Sequence, residues 1–415
     1  MSKINDLIKE LCPNGVEYKT ILECLSQPIT DGPHETPKLV NDGIPFISVE
    51  AIHDGIIDLN KCRGYITKEY DEVCSKKYKP QKGDVYFVKS ASLGKVAMVT
   101  DDSDFNIWSP LAAMRCNTKI MLPRFLFHIL QTSRIQEEAK IQASTGSQPN
   151  LSMRKLEKFV IAVPPLEIQE EIVRILDKFG ELEAELEAEL EARKSQYEFW
   201  REKLFELDEC EWKTTEELFD TITDYVANGS FKSIADNVSY KNEKDYAVLL
   251  RTVDYSNGYD NNKFIYIDEH AYNFLSKSKL FGGEIIINNI GAGVGTTFLC
   301  PDLGMPMSLA PNTIMMRTPN NKFYYYWFNS KRGQESIESV TAKSAMPKFN
   351  KTGFRKLLVP VPTLEKQNKI VETLDKFEKL ISDISIGLPA EIELRRKQYE
   401  YYRNKLLNFE EVDAQ

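Results

Sequence analysis

The chain has 415 residues, of which 42% are hydrophobic and 28% charged, as expected for a folded protein of two or three domains. No apolar run approaches the roughly 20 residues of a membrane span, and the charged N-terminal segment does not resemble a secretory signal. The net charge of −9 comes mainly from residues 161–208, which hold 6 basic and 14 acidic residues, so charge neither indicates nor excludes a nucleic-acid partner.

The cysteines and histidines give no sign of a metal site. Seven cysteines are odd in number and show no CxxC spacing, and the four histidines are widely spread. This usage is typical of reduced thiols in a reducing compartment. We therefore expect a cytoplasmic protein without a bound metal.

The most informative feature of the sequence is an internal repeat. Residues 163–179 and 361–377 match at eleven of seventeen positions, at a constant offset of 198. A second pair, 190–204 and 392–406, matches at an offset of 202. A period of about 200 residues is too long for a solenoid and indicates two similar domains, each followed by a similar helix.

The repeat extends into the domains themselves. Arg124-Phe125 aligns with Lys322-Phe323, and residues 17–20 resemble residues 211–214. The intervening inserts, roughly 45–115 and 245–317, match poorly. The sequence therefore predicts two matching frames around two divergent inserts.

Within each half, short β-type runs alternate with turns and indicate an α+β domain with a small, mostly antiparallel or mixed sheet. The predicted strands are 44–49, 84–89, 95–100, 246–250, 284–287 and 357–361. One helix is predicted in each half, at 124–141 and 322–340. The aromatic run 323–328 could stack bases, but its repeat partner 125–130 could not, which favours core packing.

Two long helices are predicted after the halves. From Leu166 to Leu207, apolar residues recur at steps of three, four and seven, which is typical of a coiled-coil seam. The second helix keeps a similar seam, but Gly387 and Pro389 predict a break, with Pro389 restarting the helix. We expect the helices to pair as an antiparallel coiled coil; the alternative is that each packs only on its own domain.

Two types of loop are candidates for contact with a ligand. Residues 291–295 lack the Lys-Ser/Thr of a phosphate-binding P-loop, and with their counterpart 92–95 they predict tight turns between strands. The small polar stretches 143–148 and 341–345 are either ordinary loops or sources of donors and acceptors for phosphates and base edges.

The sequence gives no sign of a catalytic site. A lone histidine in the segment 31–37 is interpreted as structural. No nucleophile elbow, zinc spacing or methyltransferase motif is present, so the chain looks non-catalytic.

These features resemble the specificity (S) subunit of type I restriction-modification systems. The resemblance is carried by VPPLEIQ and VPTLEKQ, each opening a long helix, and by the tails RKSQYEFWREKL and RRKQYEYYRNKL. LCPNGVEYKT near the start and GLPAEIELRRKQYEYYRNKLL near the end also fit, so the resemblance covers the whole chain in order.

The resemblance implies a non-catalytic subunit that reads a bipartite, asymmetric site in double-stranded DNA. It implies target recognition domains at 1–160 and 209–358, and spacer helices at 161–208 and 359–415. The helices would set the spacing and dock two methyltransferase (M) subunits, with restriction (R) subunits joining the complex. S-adenosylmethionine, ATP and Mg²⁺ would belong to those partners, with no cofactor on this chain.

Because the inserts diverge, base-contacting residues cannot be transferred from the family, and polarity and turn position supply the candidates. The expected DNA contacts are Lys89, Ser90, Ser92, Lys95, Ser144, Thr145, Ser147, Gln148, Asn288, Asn289, Thr296, Thr297, Lys343, Ser344 and Lys348. Two other classes of function stay open: an enzyme with an unrecognised motif, and a coiled-coil scaffold whose globular ends bind proteins.

A tandem repeat within the first long helix suggests a further role. Residues 181–192 are ELEA written three times. One unit adds about 6 Å of helix and shifts the seam by only about 40°. The repeat is therefore either a ruler for the spacing between half-sites or simply a good helix-forming, solvated stretch.

Overall fold

The structure is a computed structural model that describes residues 2–144, 148–207, 209–382 and 387–409. It divides into two compact units, unit 1 (Met1–Glu187 with Glu391–Gln415) and unit 2 (Ala188–Ala390). The long helix α6, Leu166–Leu204, contributes residues to both units. None of the helices within the described ranges is long and apolar enough to cross a membrane.

Unit 1 contains short strands, five helices that precede α6, and most of the last helix, α15. The strands are β1 Tyr18–Thr20, β2 Thr30–Asp31, β3 Ile44–Ile47, β4 Ile52–His53, β5 Ile56–Ile57, β6 Gly64–Ile66, β7 Val85–Val88, β8 Val96–Met98, β9 Asn106–Ile107, β10 Leu111–Met114 and β11 Val160–Ala162. The helices are α1 Ser2–Leu11, α2 Lys68–Ser75, α3 Pro123–Leu130, α4 Ser133–Gln142, α5 Met153–Leu156 and α15 Leu388–Leu406.

The sheets of unit 1 are small and mixed. The antiparallel sheet β2-β10-β7-β8 packs on α3 and α4, and a second sheet, β6-β3-β9, contains the parallel pair β3–β9. β1 pairs with β11, so the start of the domain is hydrogen-bonded to the strand that leads into α6. Residues of β7 alternate between two hydrophobic clusters, which explains why this strand is buried on both faces.

Unit 2 repeats this plan with a different insert. Its strands are β12 Glu211–Thr214, β13 Thr221–Asp224, β14 Ala247–Leu250, β15 Tyr266–Ile267, β16 Lys279–Leu280, β17 Ile285–Asn288, β18 Thr297–Leu299, β19 Met307–Leu309, β20 Thr313–Arg317 and β21 Leu358–Val361. Its helices are α7 Thr215–Leu218, α8 Phe231–Asn237, α9 Thr252–Ser256, α10 Glu269–Phe274, α11 Asn321–Asn329, α12 Lys331–Val340, α13 Lys351–Arg355 and α14 Leu364–Ser382.

The frame of unit 2 matches that of unit 1 strand for strand. The sheet β13-β20-β17-β18 has the order of β2-β10-β7-β8, and β12–β21 pairs as β1–β11 does. The insert differs, because unit 2 has the four-stranded sheet β15-β14-β19-β16. The prediction of matching frames around divergent inserts is confirmed, as is the α+β fold class.

The predicted strands are confirmed to within one or two residues, but the single helix predicted in each half is wrong. Residues 124–141 form two helices, α3 and α4, and residues 322–340 form α11 and α12. Thr132 and Ser330 stand as N-caps of the second helices, and the Ser330 hydroxyl accepts from the Gly333 amide at 3.2 Å. The aromatic run 323–328 lies against the unit 2 core, as predicted.

In unit 1, the N-terminal part of α6 pairs with α15. Phe179 stacks on Tyr402 with ring centroids 5.4 Å apart, and Arg396 binds Glu183 and Glu187 one and two turns further along α6. As residue numbers rise on α6 they fall on α15, so the two segments are antiparallel. Ile172 of α6 is also buried in the domain core, so the helix packs both on its partner and on its own domain.

In unit 2, the C-terminal part of α6 packs beside α14. The rings of Tyr197 and Phe377 lie 6.4 Å apart. α6 ends at Leu204, three residues before the predicted end, and Phe205 and Leu207 then enter the domain core. The interruption of the second long helix is confirmed: α14 ends at Ser382 and α15 begins at Leu388, while seam residue Ile384 falls outside the described residues.

Candidate nucleic-acid interface

In unit 1 the structure brings the two candidate loops together at one end of β7. Ser90 forms a β-bridge with Asn150, and the Leu151 amide donates to the Lys89 carbonyl at 2.8 Å. The Ser144 amide donates to the Asn150 carbonyl at 3.0 Å, which closes the loop after α4. The β7–β8 turn and the described ends of the loop after α4 therefore lie side by side and form a two-loop surface.

The candidates of unit 1 differ in accessibility. Ser92, Lys95, Ser144 and Gln148 are exposed, and the Lys95 ammonium donates to the Ile52 carbonyl at 3.1 Å. Ser90 is half-buried. Two further candidates, Thr145 and Ser147, lie outside the described residues.

Lys89 is buried rather than presented at the surface. Its side chain is 9% exposed, and its Nζ lies 3.3 Å from Oδ2 of Asp31, which is 1% exposed. Lys77 and His34 approach the same carboxylate. A buried carboxylate needs cationic partners such as Lys89 and Lys77, because an unpaired charge is costly to desolvate. In this structure Lys89 links the segment that follows β7 to the end of β2 across the intervening strand β10, and sequence reasoning missed Asp31 as its partner.

Unit 2 repeats these contacts with different side chains. Ile290 forms a β-bridge with Lys348, and the Phe349 amide donates to the Asn289 carbonyl at 3.1 Å. The Ala342 amide donates to the Lys348 carbonyl at 2.8 Å. The hydrogen bonds make Asn289 the counterpart of Lys89 and bring the β17–β18 turn next to the loop after α12.

The exposed groups of unit 2 are more basic than those of unit 1. Lys343, Ser344, Lys348 and Thr296 are exposed, and the Ser344 hydroxyl donates to the Met346 carbonyl at 2.7 Å. Asn288 is half-buried. Thr297 is buried and donates to the Gly295 carbonyl, so the structure does not present it at the surface.

Each turn is fixed by a glutamine from the helix behind it. The Gln136 amide donates to the carbonyls of Gly94 (2.9 Å) and Leu130 (2.6 Å), and Gln334 donates to Gly295 (3.1 Å) and Phe328. Gly94 has φ +94° and Gly295 has φ +88°, a region that favours glycine. The tight turns predicted from sequence are confirmed, and the glutamines hold them against α4 and α12.

Several groups at this surface escaped the sequence analysis. Asn150 is one partner of the β-bridge that joins the two loops, and the Asn312 carbonyl accepts from the backbone N–H of Asn289 at 3.1 Å. Asn312 has φ +70°, and an Asn after a Pro is a turn signal that the sequence offered. Across the described ranges, no group of three or more His, Cys, Asp and Glu residues is placed to hold a metal ion.

Comparison with known proteins gives a family for this architecture. The family described as the type I restriction modification DNA specificity domain matches residues 33–192 and 204–394, one match for each half of the repeat. The chain belongs to the type I restriction-modification specificity family. It is a specificity subunit, with a role in DNA sequence recognition, and not a catalytic subunit of such a system.

Curated relatives of the chain are themselves described as type I specificity subunits. A type I restriction enzyme specificity subunit of Escherichia coli is 36% identical over 265 residues, which cover 59% of this chain and 60% of that protein. A putative type I specificity subunit of Mycoplasma pneumoniae is 32% identical over 324 residues, which cover 74% of this chain and 88% of that protein.

Solved structures of the specificity family share the fold. A chain from a type I R-M system matches with a TM-score of 0.60 at 17% identity, covering 95% of this chain and 98% of its own length. The HsdS subunit of Thermoanaerobacter tengcongensis matches with a TM-score of 0.51 at 16% identity, covering 96% and 97%. At these identities the likeness concerns the fold alone.

Proposed function

We propose that the two halves of this specificity subunit each read one part of a bipartite, asymmetric DNA site. The observation that carries the proposal is the same two-loop surface in both units, built on matching frames by different side chains. Ser90 and Asn150 bridge the loops in one half, and Ile290 and Lys348 in the other. Different side chains on equivalent backbones give different half-site sequences, because sequence is read by base-edge contacts.

The exposed candidates divide into two roles. Lys95, Lys343 and Lys348 are suited to phosphates, because their ammonium groups carry charge without sequence information. Serine, threonine and amide side chains of the same loops are suited to base edges. The recognition domains are proposed at 1–160 and 209–358, with spacer segments at 161–208 and 359–415.

The proposed partners are two methyltransferase subunits, one for each half of the repeat. Phe199 on α6 is 60% exposed, and Tyr401, its counterpart in the second repeat, is 58% exposed on α15. An exposed aromatic side chain at equivalent positions offers two similar docking points of the kind that anchor interfaces. Restriction subunits would join the same complex.

The chemistry of the complex would lie with those partners. S-adenosylmethionine, ATP and Mg²⁺ are assigned to the methyltransferase and restriction subunits, and the complex is placed in the cytoplasm, where DNA is available. The alternative function, a coiled-coil scaffold with two protein-binding ends, would give no sequence-dependent methylation pattern.

A domain exchange tests the independent reading of the two half-sites. Replacing residues 25–150 with the equivalent region of a relative is expected to change one half-site and leave the other intact in a genome-wide map of methylated adenines. A variant in which both half-sites change would show that recognition is shared between the domains.

Reconstitution tests the assignment of the chemistry to the partners. Methylation of target duplex is expected only when the chain is mixed with a methyltransferase subunit, and Phe199→Ala with Tyr401→Ala is expected to weaken that assembly. Methylation or cleavage of DNA by the purified chain alone would contradict the proposal.

A further inference from the structure

A cavity of about 500 Å³ lies in unit 2 directly beside the proposed contact loops. Its walls come from the end of β13, from α8, and from the end of β17 at Asn289 and Ile290. Ile290 bridges to Lys348, so the cavity adjoins the most basic part of the loop surface. Its size is that of a pocket for a small ligand.

The equivalent position in unit 1 carries a lysine. Lys89 and Asn289 occupy corresponding positions, because the backbone N–H of each donates to a carbonyl in a turn. Lys89 donates to Pro110 at 2.9 Å, and Asn289 donates to Asn312 at 3.1 Å. Lys89 extends to Asp31, whereas the shorter Asn289 leaves the corresponding Asp224 to be bound by Lys351 at 2.8 Å. The asparagine thus puts a short neutral amide where unit 1 has a long cation.

In the side-chain amide of Asn289, the Nδ2 group has a hydrogen-bond partner and the Oδ1 atom has none. Its Nδ2 donates to the Phe349 carbonyl at 3.3 Å, which sets the orientation of the amide. Its Oδ1 is buried and has no hydrogen-bond partner in the structure. A buried acceptor of this kind is costly unless a donor reaches it, so the cavity favours a ligand with an N–H group.

The mouth of the cavity is aromatic. Phe231 is 83% exposed and Tyr240 is 56% exposed, and both line the opening. The Tyr240 hydroxyl donates to the Tyr225 hydroxyl at 3.3 Å, which orients the ring. Large exposed aromatic surface beside an apolar cavity suits a planar ring, which can stack on it.

We propose that this cavity takes a single nucleobase with an exocyclic amino group, adenine, cytosine or guanine, swung out of the DNA helix. The amino group donates to Oδ1 of Asn289, the ring lies against Phe231 and Tyr240, and Lys348 binds the adjacent phosphate. The inference rests on the proposed DNA-reading function and adds a base-extrusion step to it, for which the contacts in the cavity offset the loss of stacking.

The experiment uses the assembled complex and a duplex whose target has been identified by methylation mapping. 2-Aminopurine, whose fluorescence rises when it leaves the base stack, is placed at or directly beside each adenine, cytosine or guanine of the half-site assigned to the second domain. The methylated adenine and its neighbours are left out, because a methyltransferase extrudes its own target base. A several-fold rise is expected at one position. Ala235→Trp, which fills the cavity from α8, abolishes that rise, whereas the control Asp236→Trp, one position along and outside the cavity, retains it.

A second variant tests the hydrogen bond. Asn289→Leu is expected to weaken binding of the target duplex by about tenfold, since the acceptor for the amino group of the base is lost. Thermal melting of the variant is measured beside it as a check on folding, because Leu also lacks the Nδ2 donor to the Phe349 carbonyl. A fluorescence rise that survives Ala235→Trp, or an Asn289→Leu variant with unchanged affinity, would overturn the inference.

The outcomes separate this inference from the function on which it rests. A normal methylation map with no fluorescence rise at any position overturns base extrusion and leaves the DNA-reading function standing; the lack of any chain-dependent map overturns the function itself. Titration with free deoxyadenosine, deoxycytidine and deoxyguanosine distinguishes the source of the base. One outcome would assign the cavity to a free ligand and overturn the proposal. In that outcome Ala235→Trp abolishes nucleoside binding, but the target duplex does not displace the bound nucleoside.

Discussion

At the scale of single residues, one aspartate in each repeat ties its long helix to its domain. Asp177 on α6 accepts from Arg124 at 2.7 Å, and Asp375 on α14 accepts from Lys322 at 2.6 Å. These pairs occupy matching positions of the repeat, which explains why a basic residue and an aspartate recur together at an offset of 198.

The same aspartate also binds a buried side chain that differs between the halves. His128 contacts Asp177 at 2.8 Å through Nε2 and the Tyr399 hydroxyl at 3.1 Å through Nδ1. In unit 2 the counterpart is Tyr326, which donates to Asp375 at 2.7 Å. Burial lowers the pKa of His128, although the hydrogen bond to Asp177 opposes this. Unit 1 therefore has an imidazole where unit 2 has a phenol, and only the imidazole has an ordinary pKa within about two units of neutral pH.

His128 predicts a pH dependence of stability. Its pKa is lower in the folded than in the unfolded state, so the unfolded chain takes up the proton first as pH falls. The stability that neutral His128 contributes is complete above about pH 6.5 and is lost as pH falls toward the lower pKa of the folded state.

His128→Gln, whose amide replaces Nε2–H, is expected to flatten the dependence of melting temperature on pH between about pH 7 and pH 5. Tyr399→Phe keeps the histidine and should keep the slope; equal slopes in wild type and His128→Gln would contradict the assignment.

The exposed lysines predict a change in salt dependence. Lys343→Ala and Lys348→Ala are each expected to weaken binding of any duplex and to reduce the slope of log K against log salt by about 1, because one phosphate contact is removed. Lys366→Ala, an exposed lysine on α14, is the matched control with an unchanged slope. Loss of preference for the target with an unchanged slope would mean that the lysine reads a base instead.

At the scale of elements, each contact turn depends on the helix behind it. A Cβ on Gly94 would lie 2.2 Å from the Gln136 Oε1, and on Gly295 it would lie 3.0 Å from the Gln334 Oε1. The glycine and the glutamine are thus a matched pair in both halves. Because the turn carries the proposed contacts, its position follows that of α4 or α12.

A glycine substitution tests this dependence. Gly94→Ala is expected to lower the free energy of unfolding by about 2 kcal/mol, since strain at positive φ adds to the cost of displacing the Gln136 amide from its two hydrogen bonds. Gly83 has a similar φ of +91°, but its Cβ would meet only Pro123 at 3.5 Å. Gly83→Ala is therefore expected to cost about 1 kcal/mol, from backbone strain alone. If chemical denaturation showed the same loss of unfolding free energy in both variants, the Gln136 side chain would move aside at no cost.

The sequence predicted the elements of this fold better than their side-chain partners. Strand positions followed from local β-type runs, and the duplicated frame followed from the repeat. The split of residues 124–141 was missed because helical periodicity continues across Thr132, although a threonine followed by a serine is a capping signal. The burial of Lys89 could not be predicted, since its partner Asp31 lies 58 residues away in sequence.

At the scale of the whole molecule, the length of α6 is the property that the loss or gain of one ELEA unit would change. The three ELEA units occupy residues 181–192 of this continuous helix, between the two recognition domains in sequence. Arg396 binds Glu183 and Glu187, which stand at the same place in the first and second units. Deleting one unit leaves a glutamate at both positions, so the ion pairs with α15 can re-form after the change.

Deletion of residues 185–188 therefore predicts a change of DNA spacing without a change of sequence preference. The helix is shortened by about 6 Å and its seam turns by only about 40°, which a coiled coil can absorb. Since B-DNA rises 3.4 Å per base pair, the spacer between half-sites is expected to shorten by about one or two base pairs. Replacement of residues 185–188 by four alanines keeps the length and should keep the spacer. A deletion variant that methylates the original site at full rate would show that α6 does not set the spacing, and that the tandem units are only a favourable helical sequence.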